Sequence, residues 1–174
     1  ERVKEFHAAN PKSFLRGRGW DQNDWEVKEF PTRKALDSLF PEIPVALTRI
    51  DGHAMIANSK ALEMASITSE TKMEGGEVVL DSTGALTGIL VDTPMALVRN
   101  ALPAPSREFS IQALQAAEKI CLEQGLTTIN DAGLGKDIIY LIDSLQQANS
   151  LKIKVYAMIS NSEKNLDHFL ENEK

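Results

Sequence analysis

Short apolar runs separated by helical patterns of about ten or more residues constrain this chain most, because a chain that crosses back over such a helix restarts its strand in parallel with a right-handed connection. The runs are "SFLRGRGW", "PVALTRI", "LTTIND" and "KIKVYAMIS". They predict an α/β fold. With 174 residues the chain is long enough for one domain with its own core, and residues 1–174 read as a single α/β segment.

Helical spacing opens the chain in "ERVKEFHAAN", stopped by Pro11, since proline disfavours helix in the residue before it. A second helix is expected from Thr32, whose hydroxyl can cap free amides, through "RKALDSLF". After the strand "PVALTRI" a helix over "NSKALEMA" is expected at once, capped by Asn58 or Ser59. "GGEVVLDSTGALTGILVD" holds two β-rich runs around Asp81-Ser82-Thr83-Gly84 and predicts a β-hairpin insertion over residues 75–92. The clearest helix carries Phe109, Ala113, Ala116, Ala117 and Ile120 at three- and four-residue spacing, with Ser106 as N-cap and Gly125 just past its end. "KDIIYLIDSLQQANS" is a further helix, and a last one starts near Glu163 and runs into "HFLENEK" without a cap.

A formal charge of -6 and a pI near 5.1 argue against nucleic-acid and anionic-membrane partners, both of which need clustered Lys and Arg. The lone Cys121 sits on a helical face and reads as a core thiol. No apolar run is long enough to span a membrane, and a cytoplasmic location is expected. The start "ERVKEFHAANPKSFL", without Met or a signal-peptide pattern, reads as cut from a longer polypeptide.

In parallel α/β architectures ligands collect beyond the carboxyl ends of the strands. Polar residues cluster there: Arg18, Trp20 and Asp21 after the first run, Arg49, Asp51 and His53 after the second, Asp92 after the hairpin, and Asn130 and Asp131 after "LTTI". Each cluster also has a plainer reading. In "RIDGH", Asp51 can cap, Gly52 can supply a positive φ and His53 can bond a nearby carbonyl. Asn130 and Asp131 can be turn formers, Trp20 and Trp25 packing residues, and His7 and His168 solvated surface groups. "AGLGKD" fails as a phosphate loop, because Asn130 stands where the first glycine belongs and Asp137 where Ser or Thr is needed. Ile138 spoils the dinucleotide fingerprint.

"GRGWDQNDW", "FPTRKALDSLFPEIPVALTRIDGHAMIANSKALEMASI", "GGEVVLDSTGALTGILVD" and "GLTTINDAG", in this order, resemble the middle part of the amidohydrolase superfamily, in its YtcJ-like branch that includes N-substituted formamide deformylase. The resemblance implies a partial (β/α)₈ TIM barrel and a metal-dependent hydrolase that cleaves non-peptide carbon–nitrogen bonds of an amide-type small molecule with metal-activated water. It implies a divalent metal, zinc above all, in the full-length enzyme. The family's His-x-His pair is absent here, so no metal ligand is assigned and the segment alone is expected to hold no metal and to be inactive. By position in the resembling motifs, Asp51, His53 and Asp92 are the catalytic candidates, and Arg49, Trp20 and Asp131 the substrate-binding ones. A partial sheet leaves exposed edges, which invite a homodimer. The competing expectation is a non-catalytic α/β segment that binds a small ligand or serves structure.

Overall fold

The computed structural model describes residues 1–171; the end of the uncapped stretch "HFLENEK" lies outside the described residues. The chain forms two compact units, Glu1–Ala104 and Pro105–Lys174.

The first unit contains α1 (Arg2–Ala9), β1 (Leu15–Trp20), α2 (Lys34–Leu39), β2 (Val45–Arg49), β3 (Ala54–Ala57), α3 (Ser59–Met64), β4 (Gly76–Leu80), β5 (Leu86–Asp92) and α4 (Met95–Ala101). Its five strands form one sheet in the order β1-β2-β3-β5-β4. Only β1 and β2 pair in parallel; β2 with β3, β3 with β5 and β4 with β5 are antiparallel. The parallel-only expectation is therefore corrected for this unit. The helix expected over "NSKALEMA" forms as α3 with Asn58 as its cap, but it does not follow "RIDGH" at once, since Ala54–Ala57 is a strand that doubles back on β2. Gly52, at φ 85°, supplies the left-handed backbone that reverses the chain. The hairpin over residues 75–92 forms as expected, yet it is no appendage, because β5 pairs with β3 inside the sheet.

Alternation along β2 builds cores on both faces of the sheet. Ala46 joins Met55, Leu62, Leu90, Met95 and Val98. Val45 joins Leu15 and Phe40, with Leu36 and Leu47 packed alongside. Asn58 ties these layers together. Fully buried, it caps α3 through its Oδ1, which accepts from the Ala61 and Val45 amides at 3.0 and 2.9 Å, while its Nδ2 donates to the Phe40 and Ile43 carbonyls at 2.9 Å each. Thr32 does not cap α2. That helix starts at Lys34 behind Arg33, whose Nε donates to the Ser59 hydroxyl at 2.9 Å.

The second unit contains α5 (Arg107–Glu123), β6 (Thr128–Leu134), α6 (Lys136–Gln147), β7 (Lys154–Ile159) and α7 (Glu163–Glu171). Here the parallel expectation holds: β6 and β7 pair in parallel across α6. The Ser106 hydroxyl accepts from the Phe109 amide at 3.1 Å at the start of α5, and Gly125 has φ 75° just past its end. Leu141, Ile142 and Leu145 of α6 pack with Leu151 and Ile153, and Ile129, Val155 and Cys121 border this core. The opposite parity of the strands faces outward, with Tyr156 and Met158 exposed. His7 and His168 are less free than expected: His7 packs edge-on against Phe40 at 5.7 Å, and the His168 Nε2 lies 2.6 Å from the Tyr140 hydroxyl.

Candidate functional site

The directions of the strands decide which polar residues meet. β2 runs parallel to β1, and two antiparallel steps through β3 make β5 parallel to β2 as well. Trp20, Arg49 and Asp92 therefore finish strands at one end of the sheet, and His53 enters β3 at that same end.

The segment from Arg49 to His53 closes on itself. Arg49 grips Asp51 with two parallel bonds, Nε to Oδ1 at 2.9 Å and Nη2 to Oδ2 at 2.5 Å. The Gly52 amide donates to the Arg49 carbonyl at 3.0 Å, and the His53 amide to Asp51 Oδ1 at 3.1 Å. The Arg49 guanidinium also lies 5.6 Å from the centre of the Phe30 ring. The Arg49 hydrogen bond, followed by the His53 amide, pulls the Asp51 carboxyl down to about 2, and the same Arg49–Asp51 bond raises the guanidinium. Asp51 is thus a fixed anion with its oxygens engaged. It holds the turn and cannot donate a proton near neutrality.

What the turn holds is His53. Its Nδ1 stands 2.8 Å from Asp92 Oδ1, and the Asp92 amide donates to the His53 carbonyl at 3.0 Å. Asp92 adopts φ 53°, a left-handed conformation that aspartate tolerates better than most residues. An ionised carboxylate only accepts, so beside a neutral imidazole it takes the proton of Nδ1 as its donor and leaves Nε2 as the acceptor. Among the described residues that Nε2 has no hydrogen-bond partner, and the His53 side chain is 71% exposed. A base or ligand oriented by a carboxylate behind it is what this arrangement can supply.

The other two sequence candidates are Trp20 and Asp131. Trp20 donates its indole N–H to the Leu47 carbonyl at 2.7 Å and stacks on Trp25 at 6.0 Å, which makes it a packing residue. Asp131 belongs to the second unit and has the parity of Ile129, toward the helices. It borders a cavity of ≈ 60 Å³ with Leu114, Cys121 and Ile142. Asn130 has the outward parity, in register with Tyr156.

The chain belongs to the amidohydrolase family, whose pattern matches residues 1–173. It is 39% identical over 143 residues to a protein of Bacillus subtilis (strain 168) named as an amidohydrolase, YtcJ, covering 81% of this chain and 26% of that one. Against N-substituted formamide deformylase of Arthrobacter pascens the identity is 31% over 137 residues, covering 75% and 25%. Protein LONG AFTER FAR-RED 3 of Arabidopsis thaliana is 37% identical over 126 residues, covering 72% and 21%. The chain spans about a quarter of the length of these relatives. The same fold occurs in crystal structures of uncharacterized metal-dependent hydrolases from Pyrococcus horikoshii OT3 (TM-score 0.65) and Pyrococcus furiosus (TM-score 0.62). Each is 23% identical, and the match covers 98% of this chain and 32% of theirs.

A divalent metal is expected from the family resemblance, and the donor groups of the described residues do not fit one. Among the described residues no three His, Cys, Asp or Glu side chains come close enough to hold an ion. His53 and Asp92 form a pair without a third donor, and Asp51 is occupied by Arg49. No helix among the described residues is long and apolar enough to cross a membrane.

Proposed function

We propose that the protein containing this chain is a hydrolase of carbon–nitrogen bonds other than peptide bonds, acting on a small amide- or formamide-type substrate, and that this chain supplies part of the rim of its active site. The metal on which such a hydrolase depends, zinc by the family resemblance, would be held by groups other than the described residues. The observation that carries the reading is the His53–Asp92 pair at the end of the sheet where three strands finish together. In this role His53 accepts or returns a proton at Nε2, Asp92 fixes its tautomer, and the Arg49–Asp51 clamp holds the turn that presents it. Trp20 and Asp131, as substrate contacts, are outside this reading because the first is spent on packing and the second has helix-side parity.

The parallel β6–β7 pair, with helices packed on one face and the other face open, supports a stretch of (β/α)₈ barrel wall, whose open face is the barrel interior. β1 and β4 are the outer strands of the five-stranded sheet, and their free edges suit further strands or a second copy.

The test uses the intact protein with His53→Ala, Asp92→Asn and Asp51→Asn variants, assayed for turnover of N-substituted formamides and simple amides beside elemental analysis for metal. Asn keeps the left-handed backbone at residue 92, so Asp92→Asn removes the carboxylate charge and its hold on the His53 tautomer without changing the backbone. His53→Ala and Asp92→Asn should lower kcat by about 10²-fold or more. Wild-type turnover and metal content in both would sink the assignment.

A further inference from the structure

We propose that Arg16, Arg18 and Arg99 form a binding site for a small organic anion with an apolar tail. Arg16 and Arg18 lie two residues apart on β1, so they share a face of that outer strand. Arg99 reaches the same place from the last turn of α4. The three arginines, with Gly17, Thr48 and Gly52, line an open cleft of ≈ 370 Å³. Gly17, between the two β1 arginines, lines the cleft with its backbone, and a Cβ there would point to the opposite face of the sheet, 3.0 Å from the Leu47 side chain.

The Arg16 and Arg18 guanidinium groups are held in place by backbone carbonyls, and none of the three arginines is neutralised by a described residue. Arg16 donates to the Pro103 carbonyl at 2.9 Å and to the Arg99 carbonyl at 3.4 Å, and Arg18 donates to the Ile50 carbonyl at 2.9 Å. Each guanidinium carries roughly five N–H donors, so most remain free. Among the described residues every ion pair lies elsewhere, and no carboxylate comes within bridging distance of these three. In a chain of net charge -6, three unpaired cations converging on one hollow run against the average field. Their mutual repulsion is relieved when an anion enters.

The ligand's shape follows from the neighbouring hollow. A second cavity of ≈ 200 Å³ shares Arg16, Gly17, Thr48 and Arg99 with the first and adds Ala46, Met55 and Leu102. A planar carboxylate matches the forked donors of the arginines, and an aliphatic tail behind it covers the apolar residues. Gly52 lines the cleft between Asp51 and His53, so the bound anion lies beside the turn that presents His53. The site stands on the cleft alone and does not depend on the hydrolytic reading.

Calorimetric titration of the intact protein at low ionic strength, with hexanoate, acetate, hexanamide and inorganic phosphate as probes, tests the site. Hexanoate should bind, acetate more weakly by about tenfold for want of the tail, and neutral hexanamide not measurably. Arg99 makes no side-chain hydrogen bond among the described residues, so Arg99→Gln is the clean variant; it and Arg18→Gln should each weaken hexanoate about tenfold. Arg18→Lys, which keeps the charge and loses the fork, should fall between Arg18→Gln and wild type. Absence of hexanoate binding, or unchanged affinity in Arg99→Gln, overturns the proposal. Phosphate binding as tightly as hexanoate overturns the assignment of an apolar tail.

Discussion

Replacing Asn58 by Ala removes the one side chain that satisfies four backbone groups between β2, α3 and the loop before β2. Its bonds to the Val45 and Ala61 amides and the Phe40 and Ile43 carbonyls measure 2.9, 3.0, 2.9 and 2.9 Å, around a side chain that is 0% exposed. At a net worth of about 1 kcal/mol per bond the loss is ~4 kcal/mol, and water reaching the half-buried Ile43 carbonyl lowers it toward ~3. Total stability of a domain is about 5–15 kcal/mol, so the variant gives up a large part of it. In urea, with m near ~2 kcal/mol/M, the midpoint followed by far-ultraviolet circular dichroism should fall by about 2 M. Asn58→Asp is the sharper control. It keeps both accepted bonds and turns an anion toward two carbonyls, so it should destabilise at least as much as Asn58→Ala. A midpoint shift worth less than about 1 kcal/mol in Asn58→Ala would refute the idea that this side chain locks the layers together.

Gly88, at φ 97°, would bring an added Cβ to 2.6 Å from the Ala57 carbonyl and 2.7 Å from the Arg33 Cβ, so Gly88→Ala should cost about 1–3 kcal/mol in thermal or denaturant unfolding. Asp51 has a folded pKa of about 2 against an ordinary 3.8; because the folded value is the lower one, its stabilisation of the turn is complete above pH 3.8 and is lost as pH falls through 2. Carboxyl NMR titration should find that midpoint, and Arg49→Gln should return it toward 3.8. Ser106→Ala should destabilise the second unit by about 1 kcal/mol through loss of the cap on α5, read by amide hydrogen exchange along that helix.

Where a residue's conformation is set by its own neighbours, the sequence was legible. Ser106 and Gly125 bracket α5, Asn58 caps α3, and Asp81 to Gly84 turns the hairpin, each through bonds spanning a few residues. β3 was not legible. "AMIA" is a run of four apolar residues, all buried, and an unbroken apolar run carries no period that separates strand from helix. α4 was missed for a related reason: seven residues with two buried positions give too short a stripe to read. Among the candidate site residues, the Arg49–Asp51 clamp is local, and both of its residues stood out in the sequence. The pairing of His53 with Asp92 joins residues 39 apart, which chain-order reading does not bring together.

By itself the sequence determined the alternation of elements, their caps and turns, and the polar residues that stand at strand ends, because apolar period, proline, glycine and capping hydroxyls act over one or two turns of chain. Tertiary structure alone decided which strands run together. The reversal at Gly52 sends β3 back along β2, and two such reversals realign β5 with β2, so that Asp92 arrives beside His53. The convergence of Arg16, Arg18 and Arg99 has the same origin, for a strand and a helix far apart in sequence meet only once the sheet and its covering helices have packed.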